Sequence, residues 1–284
     1  MNQEYIKKII HQALKEDIKG KDITTSLLIP AALKSKAIIF IKESATVSGV
    51  AIARNVFHAL DPHLTIHSFV TDGQSVKKGA HILSLEGHTR AILTAERVAL
   101  NFLTYLSGIA SKTRSFVQAV HPYPVQIYDT RKTTPTLRLL ERWAVTMGGG
   151  HNHRLDLKAM ILVKDNHLAA IQSIKKLCQA ISTIRQLTQK KIEVEVDNLS
   201  DFVKVIQARP DIVLLDNMAP SLIHKAVMLR KKMNLTKILL EASGGINLFN
   251  VRQYAKIGVE RLSIGSLTHT HQGIDFSLEI IKSG

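Results

Sequence analysis

Two rhythms of apolar and polar positions divide the chain near residue 120. Before that point the pattern is mixed. Ile6, Ile9, Ile10 and Leu14 recur at helical spacing and predict an amphipathic helix at the start. A strand is expected over 35–43, a helix over 50–60, and strands over 64–85 around the Asp72-Gly73 and Lys78-Gly79 turns. Residues 89–120 read as helical, with an apolar stripe of Leu93, Val98, Phe102, Leu106 and Ile109 and a break at Gly108. From Val125 the rhythm changes. Short apolar runs at 125–128, 160–163, 192–196, 212–215, 238–242 and 261–264 alternate with helical stretches. Repeated βα units imply parallel strands with right-handed crossovers. Six units fall short of the eight of a full barrel. The expected fold class is therefore α/β: an N-terminal α+β domain over 1–120, then an incomplete or irregular parallel α/β barrel over 121–269. Residues 270–284 form a tail able to pack back onto the first domain.

Composition narrows the class. A chain of 284 residues, 45% hydrophobic and without low-complexity tracts, buries a large core. Its one cysteine, Cys178, excludes an internal disulfide. Lying in the apolar-periodic stretch 171–187, it reads as a buried, inert thiol. The N-terminal pattern is that of an amphipathic helix rather than a signal-peptide core, and no apolar run approaches the ~20 residues of a membrane span. A cytoplasmic protein without membrane contacts is expected. The net charge of +15 would suit nucleic acid, but aromatic residues make up only 5% of the chain, and there is neither zinc-knuckle spacing nor a basic helix. A substrate rich in phosphate and carboxylate would account for part of the excess. Lys77-Lys78, Lys190-Lys191 and Lys231-Lys232 read as solvated surface.

Every strand of the second half ends in polar residues or glycine: Arg131-Lys132, Lys164, Glu195 with Asp197, Asp216, Ser243-Gly244-Gly245, and Ser263 with Gly265. In α/β barrels the C-terminal ends of the strands gather the active site. The densest stretch is 129–167, with seven Arg or Lys and three His clustered at its ends and at Gly148-Gly149-Gly150. Three glycines expose backbone N–H groups to an anion. Ser243-Gly244-Gly245, placed before a helix expected over 248–257, suggests a phosphate site; an ordinary strand-to-helix turn is the plainer alternative. Glu195 and Asp216 at a cationic, phosphate-binding mouth suit Mg²⁺, although neutralising nearby Lys and Arg is compatible with the same placement. A Walker loop and a GxGxxG fingerprint are absent, and the histidines lack zinc-ligand spacing.

The blocks DTRKTTP (129–135), GGGHNHR (148–154) and VKDNH (163–167) resemble the signatures of the quinolinate phosphoribosyltransferases. Further matches run from Glu16-Asp17 to Leu267-Thr268-His269, so the resemblance spans almost the whole chain. It implies a glycosyltransferase of de novo NAD synthesis, which joins quinolinate to phosphoribosyl pyrophosphate with Mg²⁺ and releases nicotinate mononucleotide, pyrophosphate and CO2. The catalytic residues implied are Lys132, Lys164, Glu195 and Asp216. Substrate contacts would come from these and from Thr130, Arg131, His153, Arg154, Ser243, Gly244, Gly245, Ser263 and Gly265. Arg154 would fork onto one carboxylate and Lys164 would meet the other as a point charge. Arg97 alone reads as a helix-surface charge; the resemblance implies a homodimer in which it reaches into the partner's site. Thr136, Thr146-Met147 and Ala159 depart from the family pattern and bear on pocket shape. Two alternatives remain at this point: a related phosphoribosyltransferase acting on another aromatic acid, and a basic RNA-binding protein.

Overall fold

The computed structural model describes residues 3–281. In chain order the elements are α1 (Gln3–Asp17), α2 (Ile23–Leu28), β1 (Lys34–Ile41), β2 (Ala45–Thr46), α3 (Val50–Leu60), β3 (Thr65–Ser68), β4 (Ser75–Val76), β5 (His81–His88), α4 (Thr89–Val120), β6 (Gln126–Tyr128) and α5 (Arg138–Met147). They continue with β7 (Ile161–Val163), α6 (Asp165–Ile171), α7 (Ile174–Leu187), β8 (Ile192–Val196), α8 (Leu199–Gln207), β9 (Ile212–Asp216), α9 (Pro220–Lys232), β10 (Leu239–Ser243), α10 (Val251–Ile257), β11 (Arg261–Ser263), α11 (Ser266–His269) and β12 (Phe276–Ile281). Two compact units result, and neither is continuous in sequence. The first takes the chain up to Arg114, then Pro135–Gly149, then the chain from Thr270; the second takes Ser115–Thr134 and Gly150–His269. The sequence predicts a boundary at residue 120, a barrel over 121–269 that includes α5, and a tail over 270–284 able to pack back onto the first domain; the two units divide the chain differently at α5.

In the first unit an antiparallel sheet runs in the order β12-β1-β5-β3. The last strand closes one edge: β12 pairs along β1 with Ile38 opposite Glu279. Helix α1 buries the four residues that its periodicity marked, Ile6, Ile9, Ile10 and Leu14. Helix α4 departs from expectation in two ways. It is unbroken at Gly108, and its buried face carries Ile92, Ala95, Ala99, Leu103 and Leu106, whereas Leu93 and Phe102 are half-buried. Small residues explain both differences, because they let neighbouring backbone approach the helix closely. A Cβ at Gly108 would collide with the carbonyl oxygen of Gln272. Gly49 opens α3 without a capping side chain; Asp72 supplies the cap instead, accepting the Val50 N–H at 2.9 Å and, on its other oxygen, the Trp143 indole N–H of α5 at 2.8 Å.

The second unit is a parallel sheet of six strands, ordered β6-β11-β10-β9-β8-β7, with helices between successive strands. Among the described residues no strand ladder joins β6 to β7, so the sheet is an open version of the barrel. The register fixes which side chains share a face. Glu195 lies opposite Leu214, Leu214 opposite Glu241, and Glu241 opposite Arg261. Because side chains alternate, Leu162, Glu193, Asp216, Ser243 and Ser263 stand on that same face. The opposite face is apolar, with Val194, Val213, Leu215, Leu240 and Leu262 buried. Cys178 on α7 is half-buried rather than buried, and its thiol faces the Lys204 carbonyl at 3.5 Å. Among the described residues no helix is long and apolar enough to cross a membrane.

Gly108→Ala decides between two effects of opposite sign. Helix propensity favours alanine by ~1 kcal/mol, while forcing a methyl against backbone costs about 1–3 kcal/mol. The expected outcome is net destabilisation, read as a lower urea midpoint with unchanged slope; a raised midpoint would refute the close-approach explanation.

Candidate active site

The C-terminal ends of the six parallel strands surround a cavity of about 680 Å³. Thr130, Arg131, Lys132, His153, Arg154, Lys164, Glu195, Asp216, Ser243, Gly244, Gly245, Ser263 and Gly265 all line it. Arg97 does not; it is exposed on α4 in the first unit. The cavity is also lined by Glu241, Asn217 and His269, none of which is among the expected site residues.

Cations dominate one side. Arg154 is only 9% exposed, and its Nε–H and that of Arg131 are buried with no hydrogen-bond partner. Burial, followed by the nearby Arg131 charge, lowers the pKa of Arg154. Two guanidinium groups close enough to influence one another, with buried donors unanswered, have the chemistry to receive an anion. Lys164 ends β7 and directs its ammonium to Glu195 at 3.4 Å. Lys132 projects past Gly265, where a Cβ would come within 3.0 Å of its Cδ. Its carbonyl accepts the Thr268 hydroxyl at 2.6 Å, which ties the 130–134 loop to α11.

Acidic groups and backbone line the other side. Glu195 and Asp216 end neighbouring strands. Burial raises the Glu195 pKa, Lys164 counters that rise, and the Asp216 charge adds to it. The Ser243-Gly244-Gly245 turn is left-handed at both glycines, with φ of 90° and 63°. At Gly244 a side chain is excluded twice over, because a Cβ would also strike the Asn217 amide. The following helix begins at Val251, not at 248 as expected. Asn247 and Asn250 set this later start: the Asn247 N–H donates to Asn250 Oδ1, and the Phe249 N–H donates to Asn247 Oδ1. The triple glycine also differs from expectation. The N–H groups of Gly148 and Gly149 bond to Ala144 and Thr146 and cap α5 in the first unit, so those two offer no anion cradle.

Behind the cations lies a buried cluster that sequence reasoning missed. Nε2 of His153 is 3.1 Å from Glu193 and 3.2 Å from Glu241, and both carboxylates are fully buried. The Ser263 hydroxyl donates to Glu241, and Arg261 stands 3.7 Å from it. Ser263 therefore faces this cluster with its side chain. The backbone N–H of His153 donates to Asp129 at 2.6 Å, itself fully buried. Burial alone would depress the imidazole pKa, but hydrogen bonds and charge from Glu193 and Glu241 raise it to about 10. The signal was present in the sequence: a glutamate in mid-strand of a sheet covered on both faces is a buried charge that needs a partner.

A six-stranded parallel α/β sheet, its strand ends enclosing paired arginines, paired carboxylates and a glycine turn, is the framework of an α/β-barrel enzyme acting on a multiply charged anion. Family models described as the C-terminal and N-terminal domains of quinolinate phosphoribosyl transferase match residues 109–279 and 22–107. A probable nicotinate-nucleotide pyrophosphorylase (carboxylating) of Methanocaldococcus jannaschii is 36% identical over 291 residues, which is 99% of this chain and 99% of that protein. Its counterpart from Mycobacterium leprae is 37% identical over 275 residues, covering 95% of each. The solved nicotinate-nucleotide pyrophosphorylase of Francisella tularensis superposes with a TM-score of 0.91 at 35% identity over 99% of both chains. The chain belongs to the quinolinate phosphoribosyltransferase family.

The buried cluster makes His153 a standing cation. In an NMR titration its imidazole is expected to stay protonated through pH 8, where a histidine of ordinary pKa near 6.5 is already neutral. Its folded pKa lies above the unfolded value, so its contribution to stability is complete below about pH 6.5 and is lost as pH rises toward 10. An imidazole that titrates near 6.5 in the folded protein would refute this assignment.

Proposed function

We infer that the chain transfers the phosphoribosyl group of phosphoribosyl pyrophosphate to quinolinate with loss of CO2, giving nicotinate mononucleotide and pyrophosphate. The observation that carries this reading is the pair formed by half-buried Arg131 and buried Arg154, both lining the cavity, close enough for one charge to act on the other, and with buried, unanswered Nε donors. Two carboxylates on one aromatic ring answer that arrangement, Arg154 gripping one bidentately and Lys164 meeting the other. Binding then orients the ring nitrogen toward the anomeric carbon. As the N–C bond forms and pyrophosphate leaves, the ring nitrogen becomes positive; when the neighbouring carboxylate departs as CO2 the electron pair stays on the ring carbon, where the adjacent positive charge stabilises it until that carbon takes a proton from solvent. The chain's part is orientation and electrostatics, with Lys132 and Lys164 beside the charges that shift during the reaction.

The Ser243-Gly244-Gly245 turn and Gly265 are proposed to receive the 5′-phosphate and ribosyl moiety, where side-chain-free backbone allows close approach. Glu195 and Asp216 are proposed to hold Mg²⁺. The two carboxylates end adjacent strands at the cavity, and the Asp216 charge raises the Glu195 pKa while Lys164, 3.4 Å from Glu195, lowers it; oxygen ligands so placed suit a cation. When bound, Mg²⁺ would neutralise pyrophosphate charge. We place the protein in the cytoplasm as a homodimer in which Arg97 completes the partner's site. A direct assay decides the reaction: purified protein with quinolinate, phosphoribosyl pyrophosphate and Mg²⁺ should release nicotinate mononucleotide. Absence of product with quinolinate, together with turnover of another aromatic acid, would replace it.

Arg154→Lys keeps the charge but loses the planar two-point grip. Loss of one charged hydrogen bond costs ~1.5–3 kcal/mol, so kcat/KM for quinolinate should fall roughly 10- to 150-fold. Near-normal turnover would remove Arg154 from the carboxylate site.

The shared site is testable by complementation. Arg97→Ala and Arg154→Ala should each be nearly inactive as homodimers. Co-refolded in equal amounts, they should form heterodimers with one doubly defective and one intact site, recovering roughly a quarter of wild-type activity if pairing is random. No recovery at any mixing ratio would show that Arg97 does not act in trans.

A further inference from the structure

Glu193 and Glu241 are buried charges for which substrate contact gives no account. A plain structural role does not explain them, because the same face of the sheet uses Ile212, Leu214 and Leu239 where it needs only filling. A buried ionic cluster is often no more stable than apolar residues of the same volume. The charges stand where the sheet meets the cavity, since Glu241 and His153 both line it. Their geometry is specific. Nε2 of one imidazole lies 3.1 and 3.2 Å from two carboxylates, the peptide N–H of the same residue is held by Asp129 at 2.6 Å, and Tyr128 stands edge-on to the ring at 6.3 Å. Tyr128 is in turn stacked on His151 at 5.3 Å and covered by the Arg261 guanidinium at 4.7 Å. His153 is therefore fixed through both its backbone and its ring, immediately before Arg154 in the chain.

We propose that Glu193 and Glu241 are positioning residues, which hold the His153 ring, and with it the adjoining Arg154, in the orientation that receives the carboxylates of the aromatic substrate. The inference rests on the reading of this cavity as the quinolinate site. The same three side chains also have the ligand types of a metal site, with their donor atoms within 4.8 Å of one another. Arg261 at 3.7 Å from Glu241, and the neighbouring Arg154 charge, argue instead for a cluster whose positive partners are side chains.

Glu193→Gln and Glu241→Gln keep volume and remove one charge each. Each variant is expected to raise the quinolinate dissociation constant, measured by calorimetry, roughly 10- to 100-fold. The KM for phosphoribosyl pyrophosphate should stay within about twofold of wild type, a split that a general loss of structure would not produce. In a double-mutant cycle with His153→Ala, adding Glu193→Gln should cause no further loss, because the glutamate acts through the histidine. The proposal is overturned if both variants bind quinolinate normally, if the two losses add, or if neither variant folds. Stoichiometric metal in purified wild type that disappears in Glu193→Gln would overturn it in favour of a metal centre. Wild-type protein that fails to convert quinolinate would overturn the functional reading itself, which separates the two failures.

Discussion

The shared register of six parallel strands is the constraint on which the second unit depends. Alternation with a period of two leaves each strand no choice about which side chains face the mouth once one of them is placed. A one-residue slip of β8 would turn Glu193 and Glu195 to the face that now holds Val194, Val196 and Val213. Burying two carboxylates there against helices would be prohibitive, so the charged positions specify register as firmly as the apolar ones do. The charged groups of the cavity face and the folding code are thus the same residues.

Charge is arranged in depth. Guanidinium and ammonium groups line the cavity, and a set of fully buried carboxylates backs them, Glu241 reaching the cavity wall while Glu193 and Asp129 do not line it. That second layer offsets part of the repulsion among the cations and fixes their direction without occupying the mouth. The front layer is left undercompensated, as the unpartnered Nε donors of Arg131 and Arg154 show. A site organised in this way is ready for an anion before any ligand arrives, so binding requires little reorganisation.

Much of this was legible in the sequence, and the remainder was hidden for physical reasons. All six barrel strands were visible because short apolar runs bounded by glycine and polar turns leave few alternatives. Thirteen residues that now line one cavity stood at strand ends or inside the blocks carrying the resemblance. Glu193 was passed over because, in IEVEV, it reads as the polar half of an alternating strand, and only the burial of both faces exposes it as a charge in need of a partner. Gly108 was misread because a glycine marks either a helix break or a close approach, and the deciding atom, the carbonyl of Gln272, lies far along the chain. The sequence placed α5 in the barrel for the same reason: Trp143 reaches Asp72 across 71 positions of sequence, a contact that no local pattern announces.

The pairing of β12 with β1 has a consequence for synthesis. In synthesis β1 is made before the strands of the second unit, and its partner β12 only after them. Until then the β1 edge that β12 will cover is a row of unpaired backbone donors and acceptors, while the whole barrel sequence is still being made. The N-terminal unit is therefore a late assembly despite its early position, and its exposed edge during translation is where a nascent chain of this protein is most open to pairing with the wrong neighbour.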